Sequence, residues 1–225
     1  MMKKSLKYLF LGLVGIMMAV YLICDIFSIW DSRPLKFAVS ALITLSGLSM
    51  LKNKESRFIS VGLVFTLTAD VFLVLLDKYL AGVAVFIVAQ LCYAAYLSME
   101  SGKKLFAELL KRAVPAFVAA TVAALLGFKG NIVLPAAYAV CIGVNIAHSV
   151  ELYVRKPSKR HLMLMLGFII FVIGDICVGL RHMPFVSETV ASVLYLITWI
   201  SYPPSQSLVL AGAGLFDGVR GTEKT

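Results

Sequence analysis

The chain has 225 residues, of which 60% are hydrophobic and only 15% charged, with a formal net charge of +9. A mean hydropathy of +0.93 excludes an ordinary soluble domain, and long uninterrupted apolar runs exclude a β-barrel, whose strands would alternate over about ten residues. The basic excess reads as topology determinants and contact with anionic membrane lipids, with no nucleic-acid partner expected.

Eight helical segments are predicted in chain order, each near the length a bilayer requires. The first, 6–30, begins like a signal peptide, but its apolar region is too long and lacks a small-x-small cleavage site, so it is expected to be retained. The second, 35–51, follows Arg33-Pro34, where proline suits the first turn of a helix. Segments 58–77 and 80–99 meet at a tight turn near Asp77-Lys78. Segment 112–128 follows ESGKKLFAELLKR, a charged amphipathic stretch expected to lie at the membrane interface. Segments 131–153, 161–180 and 189–214 complete the chain. The expected fold is all-α, a polytopic integral membrane bundle of about eight transmembrane helices forming one domain over 1–225 and residing in the cell membrane.

Cys24, Cys92, Cys141 and Cys177 all fall inside apolar segments without metal-ligand spacing and read as buried free thiols. No metal constellation, P-loop, dinucleotide fingerprint or Ser-His-Asp arrangement is evident, and no cofactor is expected. Charge placement orients the bundle. With a cytoplasmic N-terminus, the inner segments hold sixteen of the 21 Lys and Arg, including Lys52, Lys54, Arg57, Lys103, Lys104, Lys159 and Arg160; Arg33, Lys36, Lys78, Lys129 and Arg181 fall outside. The positive-inside rule therefore puts both termini in the cytoplasm.

Two segments carry an acid deep inside an apolar run. Asp70 lies seven residues before Asp77, and Asp175 six before Arg181. In the expected topology both segments run outward, so both acids lie at one level, about 10 Å below the outer boundary. A charge at such depth costs roughly 2.5–3.5 kcal/mol, which makes intramembrane acids functional candidates. Helical spacing adds Gly62 and Thr66 to the stripe of Asp70, and Gly167, Phe171, Gly179 and His182 to that of Asp175. Gln90 and Tyr93 share a face of the fourth helix. Tyr195, Trp199, Tyr202 and Gln206 share one on the eighth, where Pro203-Pro204 should break the helix and free the carbonyls of Trp199 and Ile200. On the sixth, Asn145, His148 and Glu151 share a face and read as a structural group with Arg155. Asp25 lies near the outer end of the first helix, within reach of water.

Arg33-Pro34-Leu35, TADVFLVLL, FIVAQLCYAAYL, VIGDICVGL and YPPSQSLVLAG occur in an order that resembles the YhhN, or lysoplasmalogenase, family of eight-helix membrane proteins. The resemblance implies hydrolysis of the vinyl ether bond of lysoplasmalogens, lysophospholipids that yield a fatty aldehyde and a glycerophospho-alcohol. It implies that Asp70 and Asp175 are the paired aspartates, and that Arg33, Gln90, Tyr202 and Gln206 occupy the family's other polar positions. Gln90 stands where the family often has His, Ala69 where it usually has Gly, Gly174 where it often has Ser, and Arg33 where it often has Lys. Gln cannot donate a proton as a charged His can, so an acid role at that position is lost here.

The implied reaction suits two carboxyls. Protonation of the alkene carbon gives an oxocarbenium ion that water captures, which needs one protonated acid and one ionised partner, a logic related to that of glycosidases. Arg33 and Lys36 at the outer end are the candidates to hold a lipid phosphate. Buried acids and a broken eighth helix equally suit a proton-coupled transporter or channel, which is the alternative reading.

Overall fold

A computed structural model describes residues 4–54, 56–183 and 185–215. Lys3, Arg220 and Lys224, three of the sixteen Lys and Arg assigned to the cytoplasmic side, lie outside the described residues. Apolar runs with few helix breakers fold into α1 (Lys4–Phe27), α2 (Arg33–Leu48), α3 (Arg57–Asp70), α4 (Tyr79–Ser101), α5 (Leu105–Leu125), α6 (Gly130–Arg155), α7 (Lys159–Arg181) and α8 (Glu188–Gly212). No strand occurs among the described residues. Among the described residues five helices are long and apolar enough to cross a membrane, namely α1, α3 with its extension, α4, α6 and α7. Outward sides of the bundle carry large apolar groups such as Leu9, Ile16, Phe117 and Ile176, as lipid-facing helices do.

Three local features differ from the sequence reading. Residues 105–112 are the first turns of α5 and do not form a separate interfacial helix, and Glu108 and Arg112 are buried at 3% and 0% exposure. Their i, i+4 spacing lets them pair along the helix at 3.1 Å, and Asn145 and His148 of α6 complete the cluster. The α-helical part of the third segment stops at Asp70 and continues as a π-helical turn over Val71–Leu75. Such widened turns are frequent at functional sites. The eighth helix runs unbroken through Pro203-Pro204. The carbonyl of Trp199, deprived of its partner by Pro203, accepts instead from the Tyr21 hydroxyl at 2.5 Å, which ties α1 to the middle of α8.

Glycines set the closest helix pair. A Cβ on Gly167 of α7 would lie 2.9 Å from Val209 N and 3.0 Å from Ser205 O, and one on Gly212 of α8 would lie 2.7 Å from Leu164 N. Backbone contact at that range admits no side chain. Gly62 likewise receives the ring of Tyr93, and a Cβ added there would lie only 2.4 Å from it. Gly179 has nothing within 4 Å, so its place on the α7 stripe is not a packing position.

Candidate active site

The C-terminal ends of α3 and α7 deliver matched stretches to one cavity of about 400 Å³. Asp70, Leu73, Val74 and Asp77 line it from one side, and Asp175, Val178, Arg181 and His182 from the other, each series starting with an aspartate and ending seven residues later. Phe86 of α4 and Tyr195, Thr198, Trp199 and Tyr202 of α8 close it. Arg33 and Asp77 stand at its exposed end, with 45% and 72% of their side chains accessible. The two acids therefore face one cavity below a charged mouth.

Each acid is held by a tyrosine from another helix. Tyr202 donates to Asp70 Oδ2 at 2.7 Å, and Tyr138 of α6 donates to Asp175 Oδ2. Asp70 is buried at 3% exposure, whereas Asp175 is half-buried. Asp175 also lines a second, mostly apolar space of about 210 Å³ between α4, α6 and α7, walled by Val83, Pro135, Ile142 and Val172. It thus stands where the polar cavity and an apolar one meet.

The other residues singled out in the sequence divide into two groups. Tyr202, Arg33 and His182 line the cavity. His182 stacks on Tyr79 with ring centroids 4.0 Å apart and its Nδ1 donates to Val178 O at 2.7 Å, leaving Nε2 as an acceptor. Burial holds its imidazole below the ordinary range, which favours that neutral form. Arg33 already grips Asp31 through Nε at 3.0 Å and Nη2 at 2.8 Å, and it lies 3.6 Å from Asp77. An incoming anion would compete for it, not find it idle.

Gln90, Tyr93 and Gln206 lie behind the wall. Gln90 is wholly buried and joins Tyr138 to Asn145. The Tyr93 hydroxyl bonds Thr66 at 2.9 Å and Gln206 at 3.4 Å. Lys36 requires a correction. It is completely buried, its Nζ 2.5 Å from Asp25 Oδ2 and 3.9 Å from the centre of the Tyr195 ring. Its charge is neutralised inside the bundle, so the phosphate contact expected of it is not available. Asp25, whose two oxygens are taken by Ser32 and Lys36, lines the cavity from α1.

Sequence reasoning missed Tyr138, Asp77 and Arg181. Tyr138 could have been found seven residues before Asn145, on the same face of one helix. It also missed a Ser-His-Glu arrangement, in which Ser101 Oγ lies 3.0 Å from His148 Nε2 and Glu108 Oε2 lies 3.3 Å from His148 Nδ1. Arg112 Nη2 stands 3.1 Å from that same Nδ1 and can only donate, so Nδ1 accepts and Nε2 carries the hydrogen toward Ser101. A histidine in that tautomer cannot take the serine proton. The group is structural, as is the Glu151 pair with Arg155 at 2.8 Å. Among the described residues no group of His, Cys, Asp and Glu could hold a metal ion.

Comparison with curated proteins and with solved structures finds no match. The model of the YhhN family matches residues 32–213, which contain both acids, the two tyrosines that hold them and Arg33 at the mouth. The chain belongs to the YhhN family.

Proposed function

We propose that this protein is a membrane-embedded hydrolase of the lysoplasmalogenase type, cleaving the vinyl ether bond of a lysophospholipid in the cell membrane. The observation that carries the reading is the convergence of Asp70 and Asp175, from separate helices, on one cavity with cations at its mouth. One carboxyl gives a proton to the alkene carbon, and the resulting oxocarbenium ion is stabilised by the other, ionised carboxyl. Water adds to the cation and loses its proton to that carboxylate. The hemiacetal then collapses to aldehyde and glycerophospho-alcohol. Phe86, Leu73 and Val74 exclude bulk water from the acids, while Arg33 and Arg181 give the lipid phosphate a counter-charge. The apolar space beside Asp175 suits the alkenyl chain next to the reacting bond.

The transporter reading loses one of its supports, because α8 is continuous and offers no broken-helix site. Purified protein in detergent is expected to release aldehyde from a lysoplasmalogen and none from the matching ester lysophospholipid. A protein inactive in detergent that moves protons across sealed vesicles would overturn the hydrolase reading in favour of transport.

A further inference from the structure

Asp175 is joined to a buried cation on α5 by an unbroken file of buried side chains. Arg112 Nε donates to Asn145 Oδ1 at 2.8 Å, Asn145 Nδ2 to Gln90 Oε1 at 2.8 Å, Gln90 Nε2 to the Tyr138 hydroxyl at 3.2 Å, and Tyr138 to Asp175 Oδ2. Arg112, Asn145 and Gln90 are each 0% exposed. No earlier step of the mechanism uses these three residues.

The direction of the file is forced by chemistry. Arg112 has donors only. The backbone carbonyl of Gln90, which can only accept, lies 2.9 Å from Asn145 Nδ2, so the Asn145 amide cannot be turned round. The second hydrogen of that amide goes to Gln90 Oε1, which turns the Gln90 nitrogen toward Tyr138. The tyrosine oxygen then accepts, and its own hydrogen is left for Asp175. Every bond points the same way, from a permanent cation to a carboxylate oxygen, and bonds in such a series polarise one another. The file carries polarity and not protons, because an amide cannot pass a proton along without becoming its imidic tautomer.

Asp70 has no such backing. Tyr202 donates to it from between the rings of Phe171 and Trp199, with the Ser40 hydroxyl as a second neighbour; both acids line the cavity, Asp70 the more deeply buried of the two. The ionisable groups around Asp175 are Asp70 from α3, Tyr79 and Tyr93 from α4, Tyr138 from α6, Tyr202 from α8 and, toward the mouth, Arg181 and His182. Of these, Tyr138 is the one wired to a buried cation by the file.

We propose that the Arg112–Asn145–Gln90–Tyr138 file fixes the division of labour between the acids, with Asp175 as the ionised carboxylate facing the oxocarbenium ion and Asp70 as the proton donor. Arg112, Asn145 and Gln90 are positioning residues acting through Tyr138 from behind the cavity wall. The catalytic roles rest on the hydrolase reading; the protonation pattern does not.

Infrared absorption of the purified full chain at neutral pH tests the pattern without turnover. The band of a protonated buried carboxyl should disappear in Asp70→Asn and persist in Asp175→Asn; the reverse result overturns the assignment. In the Asp70→Asn background, Asn145→Asp should turn Gln90 round, so that Tyr138 donates to it and abandons Asp175. The midpoint for protonation of Asp175 should then rise by roughly one pH unit, a tenfold change, on the scale of one hydrogen bond to a charged group. Gln90→Leu, which cuts the file without adding a charge, should move the midpoint in the same direction. An unmoved midpoint in either folded variant overturns the role of the file. Wild type that shows the expected band but releases no aldehyde would sink the hydrolase reading and leave the protonation pattern standing.

Discussion

Asp70→Asn and Asp175→Asn should each abolish most hydrolysis while leaving a folded, inserted protein. Asparagine keeps the shape of aspartate and one acceptor oxygen, so the tyrosine hydroxyl 2.7 Å from Asp70 Oδ2 retains its partner. At position 70, which is 3% exposed, the new amide nitrogen enters a closed environment, and an unsatisfied buried donor costs about 1–3 kcal/mol. Position 175 is only half-buried, so its amide is more readily hydrated and the stability cost there should be smaller. Activity should fall much further than stability. A positioned acid or base contributes typically about 10²–10⁴ in rate, or roughly 3–5 kcal/mol of transition-state stabilisation at 1.36 kcal/mol per decade. If the acids act independently, the double variant should lose the product of the two factors. If they act as one unit, it should be barely worse than either single variant. Aldehyde release is measured in detergent, alongside thermal unfolding of each variant. The wild-type profile of kcat/KM against pH should be bell-shaped, its two midpoints belonging to the pair. Near-wild-type turnover by either folded single variant would refute the paired-acid mechanism.

Arg33→Gln should raise KM for a phosphate-bearing substrate severalfold with little change in kcat, because the contact is made in ground and transition states alike; an unchanged KM would assign Arg33 to its Asp31 pair alone. Gly167→Ala should cost about 1–3 kcal/mol by forcing α7 and α8 apart, whereas Gly179→Ala, with open space around it, should stay within about 0.5 kcal/mol; denaturation of both variants decides the matter, and equal losses would contradict the packing. Reporter fusions after Lys54, Lys104 and Lys159 should read cytoplasmic and fusions at Lys78 and Lys129 the opposite side. A cytoplasmic signal at Lys78 would remove the common level of Asp70 and Asp175 relative to the membrane.

The sequence by itself determined the helices and the pair of acids, because both are written in local pattern. An apolar run long enough to cross a bilayer forms a helix whatever its neighbours, and the observed ends of most helices fall within a few residues of those read from hydropathy. Asp70 and Asp175 were legible because a carboxyl in such a run is conspicuous wherever the run packs. The fate of the cations was not legible. Lys36 and Arg33 lie three residues apart and look alike, yet one is sealed against Asp25 and the rings of α8 while the other stands at the cavity mouth. Only the packing of α1, α2 and α8 decides between them, since burial of a charge depends on partners distant in the chain. Similarly, ESGKKLFAELLKR has the composition of an interfacial helix, and Asn145 and His148 on α6 convert its Glu108 and Arg112 into a buried cluster. Pro203-Pro204 spells a break in any isolated helix. The hydroxyl of Tyr21, 178 residues from the carbonyl it satisfies, lets α8 continue, and no local pattern encodes a hydrogen bond of that reach.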